Sequence, residues 1–202
     1  MQVKITKSAL TLFYKHGIKR VTMDDIAKEM GISKKTIYRF FHDKDALVNL
    51  LFETELKKNQ LHIEEIHQQA KDPIHESVLI AQYLQKMFAD INPVFFHDLH
   101  KQSGQALMDF NTFKRECMFN NLKRNITEGV KLGLYRSDLD IDFVAQYRVV
   151  QMDMFMTKVG DGFENMSMAR AHQLIMDIFM HGIATVKGHK LINKYKNKTE
   201  EE

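Results

Sequence analysis

Val21-Thr22-Met23-Asp24-Asp25-Ile26-Ala27-Lys28-Glu29-Met30-Gly31-Ile32-Ser33-Lys34-Lys35-Thr36-Ile37-Tyr38-Arg39-Phe40-Phe41 is the stretch on which the fold turns. Thr22 can cap a short helix as Thr22-x-x-Asp25, with Asp24 and Asp25 favourable in its first turn. Ile26, Ala27 and Met30 give that helix a buried side. Gly31 can adopt a positive φ at little cost, Ile32 can plug a core, and Ser33 is a good N-cap for a second helix. That helix runs from Lys34 to about Phe41, with Ile37, Phe40 and Phe41 on its apolar side. Two helices joined by a short glycine-containing turn are the sequence form of a helix-turn-helix.

Working outward, Ile5, Ala9, Leu12 and Phe13 stripe a preceding helix over Val3–His16. Gly17 stands where a left-handed residue would close it. Downstream, Lys44 to about Gln69 reads as one long helix with Leu47, Leu51, Thr54 and Leu61 turned inward. Pro73 and Pro93 suit first helical turns and mark restarts, giving helices near 74–91, 93–109 and 112–132. Gly133 and Arg136-Ser137-Asp138 form a connector. Helices near 140–159 and 167–187 come after it, separated by the turn Gly160-Asp161-Gly162. The chain after Gly188 holds too few apolar residues to fold and is expected to fray. The expectation is an all-α protein of about nine helices. Residues 1–46 form a helix-turn-helix DNA-binding domain, 47–188 a helical dimerisation and effector-binding domain, and 189–202 a frayed tail.

Composition agrees with this reading. Only 2 prolines and 9 glycines punctuate 202 residues, which favours long helices over many short strands. Hydrophobic residues at 44% and charged residues at 27% fit a folded globular chain. No apolar stretch approaches the roughly 20 residues that span a bilayer. The first residues lack the apolar core of a signal peptide, and Cys117 is the lone cysteine. A cytoplasmic location without membrane contact is therefore expected. The whole chain carries +3, yet residues 1–50 hold ten Lys/Arg against five acids. A basic first quarter on a near-neutral body directs any polyanionic partner to the N-terminus.

One detail sharpens that direction. Lys34 and Lys35 open a helix whose macrodipole disfavours cations there by roughly 0.3–1 kcal/mol each. Cations at that end make sense if it faces phosphates. Thr36, Tyr38 and Arg39 project away from the apolar side and combine hydrogen bonding, an apolar body and charge, as groove recognition requires.

The run Ala9-Leu10-x-Leu12-Phe13-x3-Gly17, then Val21-Thr22-Met23-Asp24-Asp25-Ile26-Ala27, resembles the N-terminus of TetR-family regulators. So does Gly31 to Phe41 with Lys44-Asp45-Ala46-Leu47 after it. The likeness covers roughly residues 4–50; beyond it only helical layout and length agree. It implies that Ser33 to Phe41 is the recognition helix. Lys34 and Thr36 would touch base edges or phosphates, Tyr38 and Lys44 would grip the backbone, and Thr22 would meet a phosphate. Lys35 departs from a position that is often small in the family, which leaves base preference open. The candidate DNA-binding set is Thr22, Ser33, Lys34, Lys35, Thr36, Tyr38, Arg39 and Lys44.

The resemblance also implies a body that dimerises and encloses a small-molecule pocket. Phe143, Tyr147, Val150, Gln151 and Met154 share a face of the penultimate helix, and Leu174, Ile175, Ile178, Phe179 and Ile183 stripe the last one. Two such helices per subunit would build a four-helix interface. Its expected members are Phe143, Tyr147, Val150, Met154, Leu174, Ile175, Ile178 and Phe179. An apolar pocket is expected from Phe88, Phe95, Phe110, Phe119, Met152 and Met156, methionine being adaptable.

A rival reading is a helical metal-dependent enzyme or binding scaffold. Glu64-x-x-His67 has the spacing of di-iron bundles, which need two such pairs and two further carboxylates. His97-x-x-His100 places two imidazoles on one face, as a solvated helix face also would. No nucleophile elbow, phosphate loop or Cys/His arrangement is present, so no catalytic residue, cofactor or metal is expected. The leading expectation is a homodimeric, sequence-specific repressor, released from a pseudo-palindromic DNA operator by a small apolar effector.

Overall fold

The computed structural model describes residues 1–101, 104–158 and 166–199. Among them every regular element is helical, and an isolated antiparallel bridge joins Tyr135 to Ala184. In the head, α1 (Gln2–His16) buries Ile5, Ala9 and Phe13, α2 (Met23–Glu29) buries Ile26 and Ala27, and α3 (Lys34–Tyr38) buries Ile37. Thr22 and Asp25 form the anticipated reciprocal cap, and Ser33 accepts from the Thr36 N–H. Phe40, expected on the apolar side of α3, is exposed, because the helix ends at Tyr38 and the chain turns before reaching it.

The body begins with α4 (Lys44–Gln69), capped by Asp43. Its buried residues are Leu47, Val48, Leu51, Phe52, Ile63 and Ile66, whereas Thr54 and Leu61 face solvent. The expected stripe keeps a seven-residue repeat from Leu47. The inner face instead centres on the Val48–Phe52 side and continues through Leu56, Asn59, Ile63 and Ile66, which leaves Thr54 and Leu61 at its solvent edge.

Next come α5 (Pro73–Ala89), with Pro73 in its first turn and Asp72 as cap, and α6 (Val94–Lys101). The break expected near residue 110 is absent. Instead α7 (Gln105–Thr112), a π-helical turn (Phe113–Met118) and α8 (Phe119–Lys131) run on as one rod. The last helices are α9 (Ile141–Lys158), α10 (Met168–Ile183) and α11 (Val186–Thr199). The Gly160-Asp161-Gly162 turn lies outside the described residues.

α11 corrects the expected frayed tail. Leu191, Ile192 and Tyr195 form one short stripe that packs into the second core, with Ile192 wholly buried, and the Tyr195 hydroxyl donates to Asp72 at the start of α5. A segment polar on average needs only one apolar stripe to dock.

Two apolar clusters fill the molecule. The larger runs without interruption from Ile5, Phe13 and Ile37 in the head through Leu47, Leu51 and Phe52 to Phe88, Phe95, Phe155 and Ala171 in the body. The smaller joins α5, α8, α9, α10 and α11 around Ile74, Ile126, Tyr135 and Met180.

Candidate DNA-binding head and effector cavity

The outer surface of the head presents Ser33, Lys34, Lys35, Tyr38 and Arg39 as exposed residues, with Thr36 half-buried. Lys34 Nζ lies 2.8 Å from Asp24 Oδ2, and this bond holds its ammonium slightly above the usual lysine range. The pair is solvent-exposed on both sides and so is easily exchanged for a phosphate. Thr36 Oγ1 and Ser33 Oγ sit 2.9 Å apart. The Thr22 hydroxyl accepts from the Asp25 N–H and donates to Asp25 Oδ2 at 2.7 Å. A phosphate contact by Thr22 therefore requires that hydroxyl to turn away from Asp25. Lys44 differs from the rest. Its stem is half-buried, its Nζ lies 5.9 Å from the Phe13 ring centroid, and burial pushes its pKa down.

The head is joined to the body by more than chain connectivity. Gly17 ends α1 with φ 82° and ψ 161°, a region open essentially to glycine alone rather than the left-handed helical conformation expected. A Cβ there would lie 2.7 Å from Asp98 Oδ2 and 2.9 Å from Val94 Cγ1, so α6 rests directly on this turn. Asp98, 3% exposed, accepts from the Lys19 N–H at 2.8 Å, and the Asn92 N–H donates to the Tyr14 carbonyl at 2.8 Å. Tyr14 meets Phe95 edge-on at 4.9 Å, and Phe95 stacks on Phe52 of α4 at 5.5 Å.

Behind this junction lies an apolar cavity of about 170 Å³. Tyr14 of the head, Leu51, Phe52 and Leu56 of α4, Met87 and Phe88 of α5, and Phe95 and Phe96 of α6 line one part. Met118, Met152, Met156, Met176 and Phe179 line another. Of the expected pocket residues, Phe88, Phe95, Phe110, Met152 and Met156 are present. Phe119 is not, since it sits just past the π-helical turn and packs on the second core.

Polar groups meet the wall at separate places. Glu76, 2% exposed, is held by Arg124 Nη2 at 3.2 Å, Asn125 Nδ2 at 2.8 Å and His67 Nδ1 at 3.2 Å. Tyr83 donates to Asn59. Arg148, 3% exposed, also lines the cavity. Next to these, His172 is fully buried against Phe88 and Phe155, and burial, with the Arg148 charge as a lesser cause, pushes its pKa down to about 3. Asp98, Arg148 and His172 are functional candidates that the sequence pattern does not single out. Arg148 was detectable in principle, being in phase with Ala145, Val149, Met152 and Phe155.

The expected interface residues divide. Phe143, Tyr147, Val150 and Met154 form an exposed apolar stripe on α9, and Ile178 is 71% exposed on α10. Leu174 is half-buried. Ile175 and Phe179 are also half-buried and turn toward their own subunit's cores. The histidine pairs considered for a metal are otherwise engaged, His67 with Glu76 and His100 with Asp153. Among the described residues no group of three or more His, Cys, Asp or Glu could hold a metal ion, and no helix is long and apolar enough to cross a membrane.

Known proteins share both the head and the body. Residues 5–51 match the family model described as bacterial regulatory proteins, tetR family. The uncharacterized HTH-type transcriptional regulator YhgD of Bacillus subtilis is 27% identical over 132 residues, which span 64% of this chain and 69% of that protein. A TetR-family regulator from Agrobacterium tumefaciens superposes with a TM-score of 0.76 at 16% identity, covering 91% of this chain and 97% of that one. FadR from Bacillus subtilis, solved with stearoyl-CoA, gives 0.70 at 18% identity over 91% and 100%. At such identities the two structures share a fold with this chain.

Proposed function

Given that this chain is a TetR-family DNA-binding transcriptional regulator, we propose that it is a homodimeric repressor that leaves its operator when a small apolar effector fills the cavity. Its DNA contacts come from Lys34, Lys35, Thr36, Tyr38 and Arg39 on and after α3, with Thr22, Ser33 and Lys44 supporting them. The exposed stripe of α9, together with Ile178 of α10, pairs with its twofold mate, since a patch of such large apolar side chains is costly to leave in water. A twofold dimer presents two recognition helices to successive major grooves of an inverted repeat.

The observation that carries the reading is that the cavity wall and the head support share Tyr14, Phe52 and Phe95. Tyr14 belongs to the head and lines the cavity, and Phe95 touches both Tyr14 and Phe52. A ligand that needs room displaces α6 or α4. Through Asp98 and Gly17 that displacement reorients the head. Such coupling requires the ligand to bind one head arrangement better than the other, not merely to bind. The bound acyl ligand of FadR, a protein of the same fold, supports an apolar effector here.

The test begins by selecting bound fragments from the source genome and sequencing them. An enriched inverted repeat supports the operator reading, and no enrichment at low salt refutes it. Cavity ligands are then titrated against the operator complex. Tight binders that leave DNA affinity unchanged refute effector control.

A further inference from the structure

Most of the cavity wall is apolar and Arg148 is the one cation among its described lining residues; the geometry points to an effector that is a carboxylic acid, its apolar body in the cavity and its carboxylate on Arg148. This inference rests on the effector reading above and specifies its chemistry.

Arg148 is 3% exposed, yet among the described residues it forms no ion pair. Its Nη2 faces the sulfur of Met176 at 2.7 Å, a weak acceptor, and its Nη1 reaches Gln151 Oε1 at 3.3 Å. The guanidinium lies 5.5 Å from the Phe179 ring centroid. Three other buried or half-buried cations beyond α4 do meet carboxylates, Lys196 with Asp177 among them. Lys114 pairs with Asp153, and Arg124 with Glu64 and Glu76. Burial pushes the Arg148 pKa down to about 10, which still leaves it charged at neutral pH.

A buried cation without a counter-charge destabilises the empty protein. Such a group is retained where a ligand supplies the missing anion, and guanidinium is the side chain whose fork fits a carboxylate. His172 beside it has no hydrogen-bond partner for either ring nitrogen and, being neutral, supplies no counter-charge. The polar group around Glu76 offers no alternative seat, because its guanidinium, Arg124, already bonds Glu64 and Glu76. The size admits a single ring, since apolar cavities of about 150 Å³ bind one, and five methionines leave this one able to enlarge for a longer chain.

The test compares matched pairs by calorimetry on the full chain: decanoate with decanol, hexadecanoate with hexadecanol, and phenylbutyrate with phenylbutanol. The acid of at least one pair is expected to bind roughly tenfold to a hundredfold more tightly than its alcohol, the worth of a charge-assisted bond over a neutral one. Arg148→Met is expected to bring that ratio to one or below, whereas Arg148→Lys, which retains the charge, keeps acid preference. If Arg148→Met does not fold, the Arg148→Lys ratio and the parent ratio still decide. Alcohols that bind as well as acids, acid preference that survives Arg148→Met, or no binding by any of the three acids overturns the proposal. Operator affinity is measured in parallel. An acid that binds through Arg148 without weakening the DNA complex supports the anion site and refutes effector control. An alcohol that binds equally and releases DNA refutes the anion site and supports effector control.

Discussion

His172 gives the sharpest test of how the body is built. Its ring is fully buried, with Phe88 and Phe155 centroids at 5.2 and 5.8 Å, and neither nitrogen has a partner. Burial and the Arg148 charge lower its pKa from 6.5 to about 3. In the unfolded chain the ring takes a proton near pH 6.5; in the fold it resists until about pH 3. Between those values the unfolded state binds more protons. The contribution of His172 is therefore fully present above pH 6.5 and is lost as pH falls toward 3. At about 1.4 kcal/mol per pH unit, going from about pH 7 to about pH 5 costs about 2 kcal/mol through this side chain alone. Urea denaturation monitored by far-UV circular dichroism measures it, the chain having no tryptophan. Both pH values are read at one protein concentration, since dimerisation shifts apparent stability. His172→Phe should lose about 2 kcal/mol less than the parent over that interval, and His172→Leu should do the same if phenylalanine overpacks the site. Equal losses in parent and both variants would refute a neutral, partnerless His172.

Three further outcomes are expected. Lys34→Ala lowers operator affinity across sequences and reduces the salt slope of binding by about one, while Thr36→Ala chiefly relaxes base preference; anisotropy titrations over salt and over operator variants separate the two. Gly17→Ala forces a Cβ against Asp98 and Val94 at a positive φ and costs on the order of 1–3 kcal/mol, read as a lower melting temperature together with weaker DNA binding. Val150→Arg, placed in the exposed stripe of α9, should give a monomer in sedimentation velocity, and a variant that remains dimeric would move the interface elsewhere.

The head was legible because its signals are local. Thr22 with Asp25, Gly31, and Ser33 with Thr36 each fix a cap or turn within a few residues. The body was legible as helices, less so as faces. α9 carries two apolar stripes, an outer one through Phe143, Tyr147, Val150 and Met154 and an inner one through Ala145, Val149, Met152 and Phe155. Periodicity alone does not say which faces the subunit's own core. That ambiguity also hid Arg148, a charge embedded in the inner stripe. The junction was illegible for another reason. Asp98 bonds to Lys19 across 79 positions, and no spacing rule connects residues so far apart. α11 was missed because average polarity outweighed the stripe of Leu191, Ile192 and Tyr195.

The apolar cluster that runs unbroken from Ile5 to Ala171 has a consequence for exchanging parts between regulators. A cut after residue 46 leaves Leu47, Val48, Leu51 and Phe52 on one side of the scissors and the head residues they cover on the other. The head is thus not a cassette. A chimera that borrows another operator specificity should carry the first turns of α4 with the donor head and preserve Val94 and Asp98 where Gly17 meets them. Recombination that respects only the motif boundary would yield a reader with an open seam, soluble only as far as its exposed apolar surface allows.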